Sequence, residues 1–447
     1  MEQKMTGFPA LFYVDALSLV IIALVTFVAL SIGSYASRYL EGDSRQRSFF
    51  ANLVMLVASV YLMLCADHLL LFLASWGTSN LLLTRLMLHK RRWEAARQSS
   101  LLAAKNFGLG FFFLGTAALI LYNVTGQTSI QSILTQSIGS QWTIITGSLL
   151  LLAAMTQSAL WPFHRWLTSS LNSPTPVSAI MHAGLVNGGG FLLARFAPLL
   201  AGEAVLMPII FATGIATALL GTLWKLMQSD IKRMLACSTM GQMGFMIVQC
   251  GLGLFPAAIA HLCWHGLFKA YLFLASGSAA QEKRLDLDYP PSLKQFLPAL
   301  VCGALAAGTF SLTIGERISL ADTTLFLVLL PLIAGTQFAL PILRGRQKLR
   351  LPLAIVASAL IGCCYGFSVH LIGQVLAPLN IAVPQELNPL HFIGAVLLVA
   401  SWLAMLFIHP ARWKSYPGWL LKKYVQMLNA SQPHPKTITA ERNKYQF

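Results

Sequence analysis

Apolar residues along this chain come in blocks of about twenty, each long enough to cross a bilayer as a helix, with short polar breaks between them. The blocks predict helices near residues 11–36, 49–66, 67–88, 101–123, 142–170, 176–199, 204–227, 231–252, 255–279, 292–316, 321–343, 351–376 and 388–409. The first is broken only by Asp15 and is too long for the apolar core of a signal peptide, so it reads as a retained span. Two blocks are interrupted. The fifth, LLLLAAMTQSALWPFHRWLTSSLNSPTPV, has Pro162 inside it and Pro174 and Pro176 behind; the tenth, LVCGALAAGTFSLTIGERISL, carries Gly303, Gly308 and Gly315. With spans two to six and seven to eleven taken as halves, the interruptions fall at corresponding places, which is how inverted-repeat transporters show in sequence. The expected architecture is an all-α polytopic membrane protein of about thirteen transmembrane helices. A membrane domain over 1–410 would hold two inverted five-helix repeats with broken helices, near 49–199 and 204–343, and further helices over 351–409; a tail follows over 411–447.

Composition agrees with the pattern. The chain is 56% hydrophobic and 10% charged, with mean hydropathy +0.67, where soluble domains carry roughly 25% charged residues. The net charge of +16 acquires its meaning from placement. Charge fills alternate loops (RYLEGDSRQR, HKRRWEAARQ, KLMQSDIKR, QEKRLDLDYPPSLK, RGRQKLR) and the tail, whereas NVTGQTSIQSILTQSIGSQ has none. By the positive-inside rule the N-terminus lies outside and the C-terminus in the cytoplasm. The basic balance is then topology, with some attraction to membrane lipid or an acidic partner, and not a nucleic-acid footprint. Cys65, Cys237, Cys250, Cys263, Cys302, Cys363 and Cys364 form no CxxC and no Cys/His metal spacing, so no metal site is expected. Nor is there a nucleophile elbow, a phosphate-cradling loop or a carboxylate pair, which points away from an enzyme with its own catalytic site.

The candidate chemistry lies inside the apolar blocks. In HLCWHGLFKAYLFLASGS, His261, His265 and Lys269 recur every fourth residue and fall on one stripe of one helix. Burying a lysine at mid-membrane costs a few kcal/mol unless it is neutral, paired or hydrated. One reading is a snorkelling lysine with two histidines satisfied by neighbours; the other is a proton path, since imidazole titrates near neutrality. His182, in SPTPVSAIMHAGLVNGGGFLLAR, is either a packing residue or a link from an entry route to that stripe. Asn187 and the triplet Gly188–Gly190 point to a close helix approach with a polar contact. Asp230, Lys232 and Arg233 form an interfacial cluster, or Lys232 reaches inward to close the axis. Asp67 and His68 fit an outer turn, and Glu316 with Arg317 stands at the interruption of the tenth span.

QSALWPFHRWLTSSLNSPTPVSAIMHAG, QSDIKRMLACSTMGQMGFM and HLCWHGLFKAYLFLASGS resemble the antiporter-like membrane subunits shared by respiratory complex I and the Mrp cation/proton antiporters, over roughly residues 11–345. HAGLVNGGGFLLARFAPLL, MGQMGFMIVQCGLG and YLEGDSRQ look like the DabB branch of that family. The resemblance implies a bacterial inner-membrane subunit that conducts H⁺ or Na⁺ down its gradient. It also implies a DabA-like soluble zinc partner on the cytoplasmic side, which uses that energy to make CO₂ hydration to bicarbonate one-way; zinc would sit on the partner and no cofactor on this chain. His182, Lys232, His261, His265 and Lys269 match polar-axis positions of the wider family. Gly77 stands where antiporter branches place Glu, Gln157 replaces a broken-helix Lys, and TIGER stands where another Lys is expected. A Glu–Lys pair switches because each group biases the other's protonation. Gly and Gln cannot, which leaves Gln157 to hold a water or accept from His182 in a passive relay.

Overall fold

Apolar blocks in lipid must satisfy their own backbone N–H and C=O groups, and these do so as helices. The computed structural model describes residues 11–280, 291–315, 318–344, 349–407 and 417–438. In chain order the long helices are α1 (Ala16–Tyr39), α2 (Gln46–Cys65), α3 (Leu69–Met87), α4 (Glu94–Thr125), α5 (Ser140–Gln157) and α6 (Thr175–Arg195). They continue as α7 (Leu206–Leu226), α8 (Ile231–Gly251), α9 (Phe255–Leu274), α10 (Leu293–Thr313), α11 (Phe326–Arg344), α12 (Arg350–Leu376), α13 (Pro389–Phe407) and α14 (Gly418–Ala430). Eleven helices among the described residues are long and apolar enough to cross a membrane. α5 and α8 stand at the two remaining expected places, α8 within a residue of its predicted bounds and α5 ending thirteen residues before its predicted end.

Successive helices alternate between two ends. At the basic end, His89 Nε2 lies 3.0 Å from Asp43 Oδ2, and Arg45 donates to the His89 carbonyl at 3.0 Å, tying the α1–α2 turn to the end of α3. At the opposite end, Asp67 accepts from Ser129 Oγ (2.6 Å) and from the Gln131 amide (2.9 Å), and His68 caps α3. These are the turn roles expected of Asp67 and His68. Arg195 clamps Asp15 at that end and donates to Ser18 Oγ at 2.9 Å and the Leu64 carbonyl at 3.2 Å. Burial alone would push the Asp15 carboxyl up, but the Arg195 guanidinium and the Ser18 hydrogen bonds hold it below its ordinary value.

The breaks differ from expectation. α5 stops at Gln157 and the chain turns through residues 158–164 into a short helix, Arg165–Thr168, as Pro162 foretold. α6 is also interrupted, by a 3-10 turn at Leu185–Asn187, which the sequence reading did not anticipate. α10 is not broken: it runs unbroken past Gly303 and Gly308 and ends at Thr313, before Gly315 at φ +72°. Its Gly303 serves packing, since a Cβ there would stand 2.9 Å from the Thr336 amide nitrogen of α11. Glu316 and Arg317 lie outside the described residues.

The sequence marks residues 411–447 as a tail beyond the last span. Its described part lies on this chain, with Met427 of α14 packed on Trp224, Cys237 and Met240.

Candidate functional site

α6 and α8 leave the basic end in the same direction, and α9 returns against both. At the start of α6, Thr175 Oγ1 accepts from Lys232 Nζ at 3.3 Å. Seven residues further along each helix (175 to 182, 232 to 239), His182 Nδ1 lies 3.1 Å from Thr239 Oγ1. Seven residues are two turns, about 10 Å, so the pairs form two rungs of a ladder between parallel helices. Lys269 enters from α9, donating to Ser238 Oγ at 2.8 Å, beside Thr239. Phe273, one turn further along α9, stacks on the His182 ring at 4.2 Å.

Along the same stripe, away from the basic end, stand His265 and His261, their rings nearly parallel with centroids 6.3 Å apart. Both ring nitrogens of His265 and Nε2 of His261 are buried without a hydrogen-bond partner. Lys269 is 1% exposed, and among the described residues no carboxylate stands within ion-pair distance of it. The lysine therefore neither snorkels nor faces lipid. Its closest described partner is a neutral hydroxyl, a group that both donates and accepts protons.

Gln157 departs from expectation. Its amide exchanges two hydrogen bonds with Asn80 of α3, both 3.1 Å, and also donates to the Leu185 carbonyl at 3.2 Å, while His182 is engaged by Thr239. The pair is uncharged and closed on itself, so Gln157 does not accept from His182. Asn187 donates to its own helix, at the Ala183 carbonyl (2.8 Å), and leaves Oδ1 unpartnered. Both amides border an apolar cavity of about 50 Å³ walled by Ile21, Val25, Trp76 and Phe191. Asp230 is exposed and caps α8 by accepting from the Arg233 amide at 2.9 Å. It stands at the mouth of the ladder and not within it.

The sequence reading missed Asn80, Thr175, Ser238 and Thr239, the neutral groups against which the charged ones are set. For Ser238 and Thr239 the signal was the low apolarity of α8, where a Ser–Thr pair stands in the interior of the helix. It also missed His164, buried beside Trp224 with a centroid separation of 4.7 Å and both ring nitrogens unpartnered. A polar cavity of about 270 Å³, bordered by Gly315, His370, Gln374 and Asn380, opens at the end opposite the basic one.

Residues 66–314, which hold the ladder, the three-residue stripe of α9 and the Gln157–Asn80 pair, match the family described as NADH:quinone oxidoreductase/Mrp antiporter, TM. Residues 5–50 match NADH-Ubiquinone oxidoreductase (complex I), chain 5 N-terminus. The chain is 36% identical over 61% of its length to the probable inorganic carbon transporter subunit DabB1 of Halothiobacillus neapolitanus, covering 50% of that protein. To the DabB subunit of Bacillus subtilis it is 40% identical over 57% of its length, covering 52%. To NADH-quinone oxidoreductase subunit L of Escherichia coli it is 35% identical over 59%, covering 44%. It thus spans about half the length of the curated relatives it matches. In fold it is similar to a chain of the Mrp complex from a Dietzia species, with TM-score 0.59 and 24% identity, covering 96% of this chain and 46% of that one.

Proposed function

The chain belongs to the NADH:quinone oxidoreductase/Mrp antiporter family of membrane subunits, and on that premise we propose that it conducts a cation for an energy-coupled inorganic carbon uptake complex. The basic end would face the bacterial cytoplasm and receive a DabA-like soluble zinc subunit. The likeness to DabB subunits supports the carbon half of this reading. The conducting half rests on one observation: Lys269 is buried on a neutral hydroxyl, in line with two histidines of which His265 has both ring nitrogens, and His261 its Nε2, without a protein partner.

A proton entering opposite the basic end would pass His261, His265 and Lys269. It would then cross by Ser238 and Thr239 to His182 and leave by Thr175 and Lys232. An imidazole takes a proton on one nitrogen and gives one from the other. A nitrogen-rich line suits H⁺ better than Na⁺, a hard cation that takes oxygen ligands. The neutral Gln157–Asn80 pair supports a second reading, a membrane anchor that holds the soluble partner without conducting.

Lys269→Ala and His265→Ala decide between them. Each is expected to abolish potential-driven proton uptake in proteoliposomes and carbon-dependent growth, while the complex still assembles on a sizing column. Wild-type flux in both variants would leave the anchor standing.

A further inference from the structure

The two walls of the lysine–histidine ladder at its basic end are joined by a segment that lies outside the residues the two family descriptions match. On the α7–α8 side, Gln228 donates to Ser431 Oγ at 2.9 Å and Arg233 to Gln432 Oε1 at 3.3 Å. On the α5–α6 side, Ser169 Oγ accepts from the His434 amide at 2.9 Å, and Asn172 donates to the Thr437 carbonyl at 2.8 Å. These contacts flank the terminal rung: Arg233 follows Lys232, and Asn172 lies three residues before Thr175. Asn172 also reaches the Ala95 carbonyl at 3.2 Å, so α4 belongs to the same wall.

The segment is anchored as well as bonded. Ser431 and Thr437 are 3% and 6% exposed. The preceding helix, α14, sets Leu420, Tyr424, Met427 and Leu428 toward the protein, a spacing of four, three and one that makes one helical face. Met427 sits on the Trp224 cluster beneath α7 and α8. A chain that merely trailed from the last span would not bury hydroxyls on two walls at once.

We infer that residues 418–438 form a strap that closes the basic-end mouth of the ladder, and that the mouth opens when the strap lifts from Asn172 and Gln228. The strap spans the gap between the carriers of Thr175 and Lys232 and fixes their separation. Each of its bonds is a buried or part-buried, neutral or singly charged hydrogen bond of modest net worth, so the contact is reversible. The inference rests on the proposed conduction only for its consequence; the closure itself is a statement about access.

The test measures access and flux separately on the full chain in proteoliposomes. A Thr175→Cys reporter is treated with a membrane-impermeant maleimide from the basic-end side, with modification read at that peptide by mass spectrometry. It is compared in three backgrounds: otherwise wild type, Asn172→Ala with Gln228→Ala, and a chain ending at Ala430. Labelling is expected to rise several-fold in the double variant and further in the shortened chain, and a synthetic peptide of residues 429–438 should bring it back down. Helix content and thermal midpoint confirm that each protein is folded. Unchanged labelling in folded variants, or a rise that the peptide does not reverse, overturns the strap. Parallel proton-flux measurements on chains without the reporter should rise with labelling. If labelling rises and flux does not, the strap stands and the conducting reading fails.

Discussion

An amide that gives and takes in both directions with its partner leaves little for another ligand, and Asn80 and Gln157 are related in that way. A longer side chain at position 77, one turn before Asn80, has to displace an aromatic ring, because a Cβ at Gly77 would stand 3.1 Å from the Phe111 ring of α4. The clasp has a measurable value. Asn80→Leu strips Gln157 of two hydrogen bonds in an apolar surround, and leaving a buried amide unsatisfied costs about 1–3 kcal/mol. We expect a lowered thermal midpoint in detergent, with Gln157→Leu in the same background recovering part of the loss; an unchanged midpoint in Asn80→Leu would show that the pair contributes nothing. The Lys and His members of the site were legible because ionisable groups are conspicuous in apolar helices. Their hydroxyl and amide partners were not, because Ser, Thr and Asn are ordinary residues in membrane helices, and nothing in one helix's sequence says which residue of another it meets.

A helix that stops inside a bundle must find acceptors and donors for its last turn, and the end of α5 shows where they come from. Ala154 O takes the Ser158 amide and Met155 O takes the Leu160 amide, both at 2.9 Å, while Thr156 O receives Asn106 Nδ2 at 2.9 Å and Trp166 Nε1 at 3.0 Å. The freed carbonyls of the α6 turn are met from α5, Leu185 by Gln157 and Val186 by Ser158 Oγ at 2.6 Å. The two breaks are thus halves of one device, and the glycine triplet lets them touch. A Cβ at Gly189 would lie 2.6 Å from the Ala154 carbonyl oxygen and closer still to Ser158 Oγ. A backbone atom cannot step aside, so Gly189→Ala should cost about 1–3 kcal/mol by overpacking. Gly33 of α1 has nothing within 4 Å, and Ala there should be neutral or slightly stabilising. Equal thermal midpoints for the two variants would contradict the close approach. Pro162 made the α5 break legible; the α6 break was hidden because its turn residues, Leu185–Asn187, carry no proline and follow a glycine that reads equally well as packing. The opposite error occurred in α10, whose glycines suggested a break: Gly303 proved to be a contact point, and Gly308 stands in an unbroken helix with nothing within 4 Å of a Cβ.

Across the whole molecule each end is fastened by a carboxylate held below its ordinary value, Asp43 at the basic end and Asp15 at the other, which makes the fastening sensitive to acid. The alternation of charged and bare loops made the grouping of the loops at two ends legible, since it needs only loop order and charge. Which loops bond to one another was not, because those partners lie 44 or more residues apart in sequence. At the basic end, Asp43 joins the α1–α2 turn to His89 beyond α3, and His89 and the Arg45 amide hold its carboxyl below the ordinary 3.8. A depressed folded value means that the unfolded chain takes up the proton first as pH falls, so stability drops with acidification. The contribution is complete above the unfolded value and is lost as pH falls through the folded one. Asp43→Asn should therefore melt lower than wild type at neutral pH, and the gap should stay constant down to about pH 5 and close below pH 4. Asp43 is partly exposed and its bond is screened by water, so the neutral-pH gap should be small and should shrink with salt. Midpoints measured from pH 7 to 3 check this; a gap that widens in acid would mean that the turn is held by something other than its carboxylate.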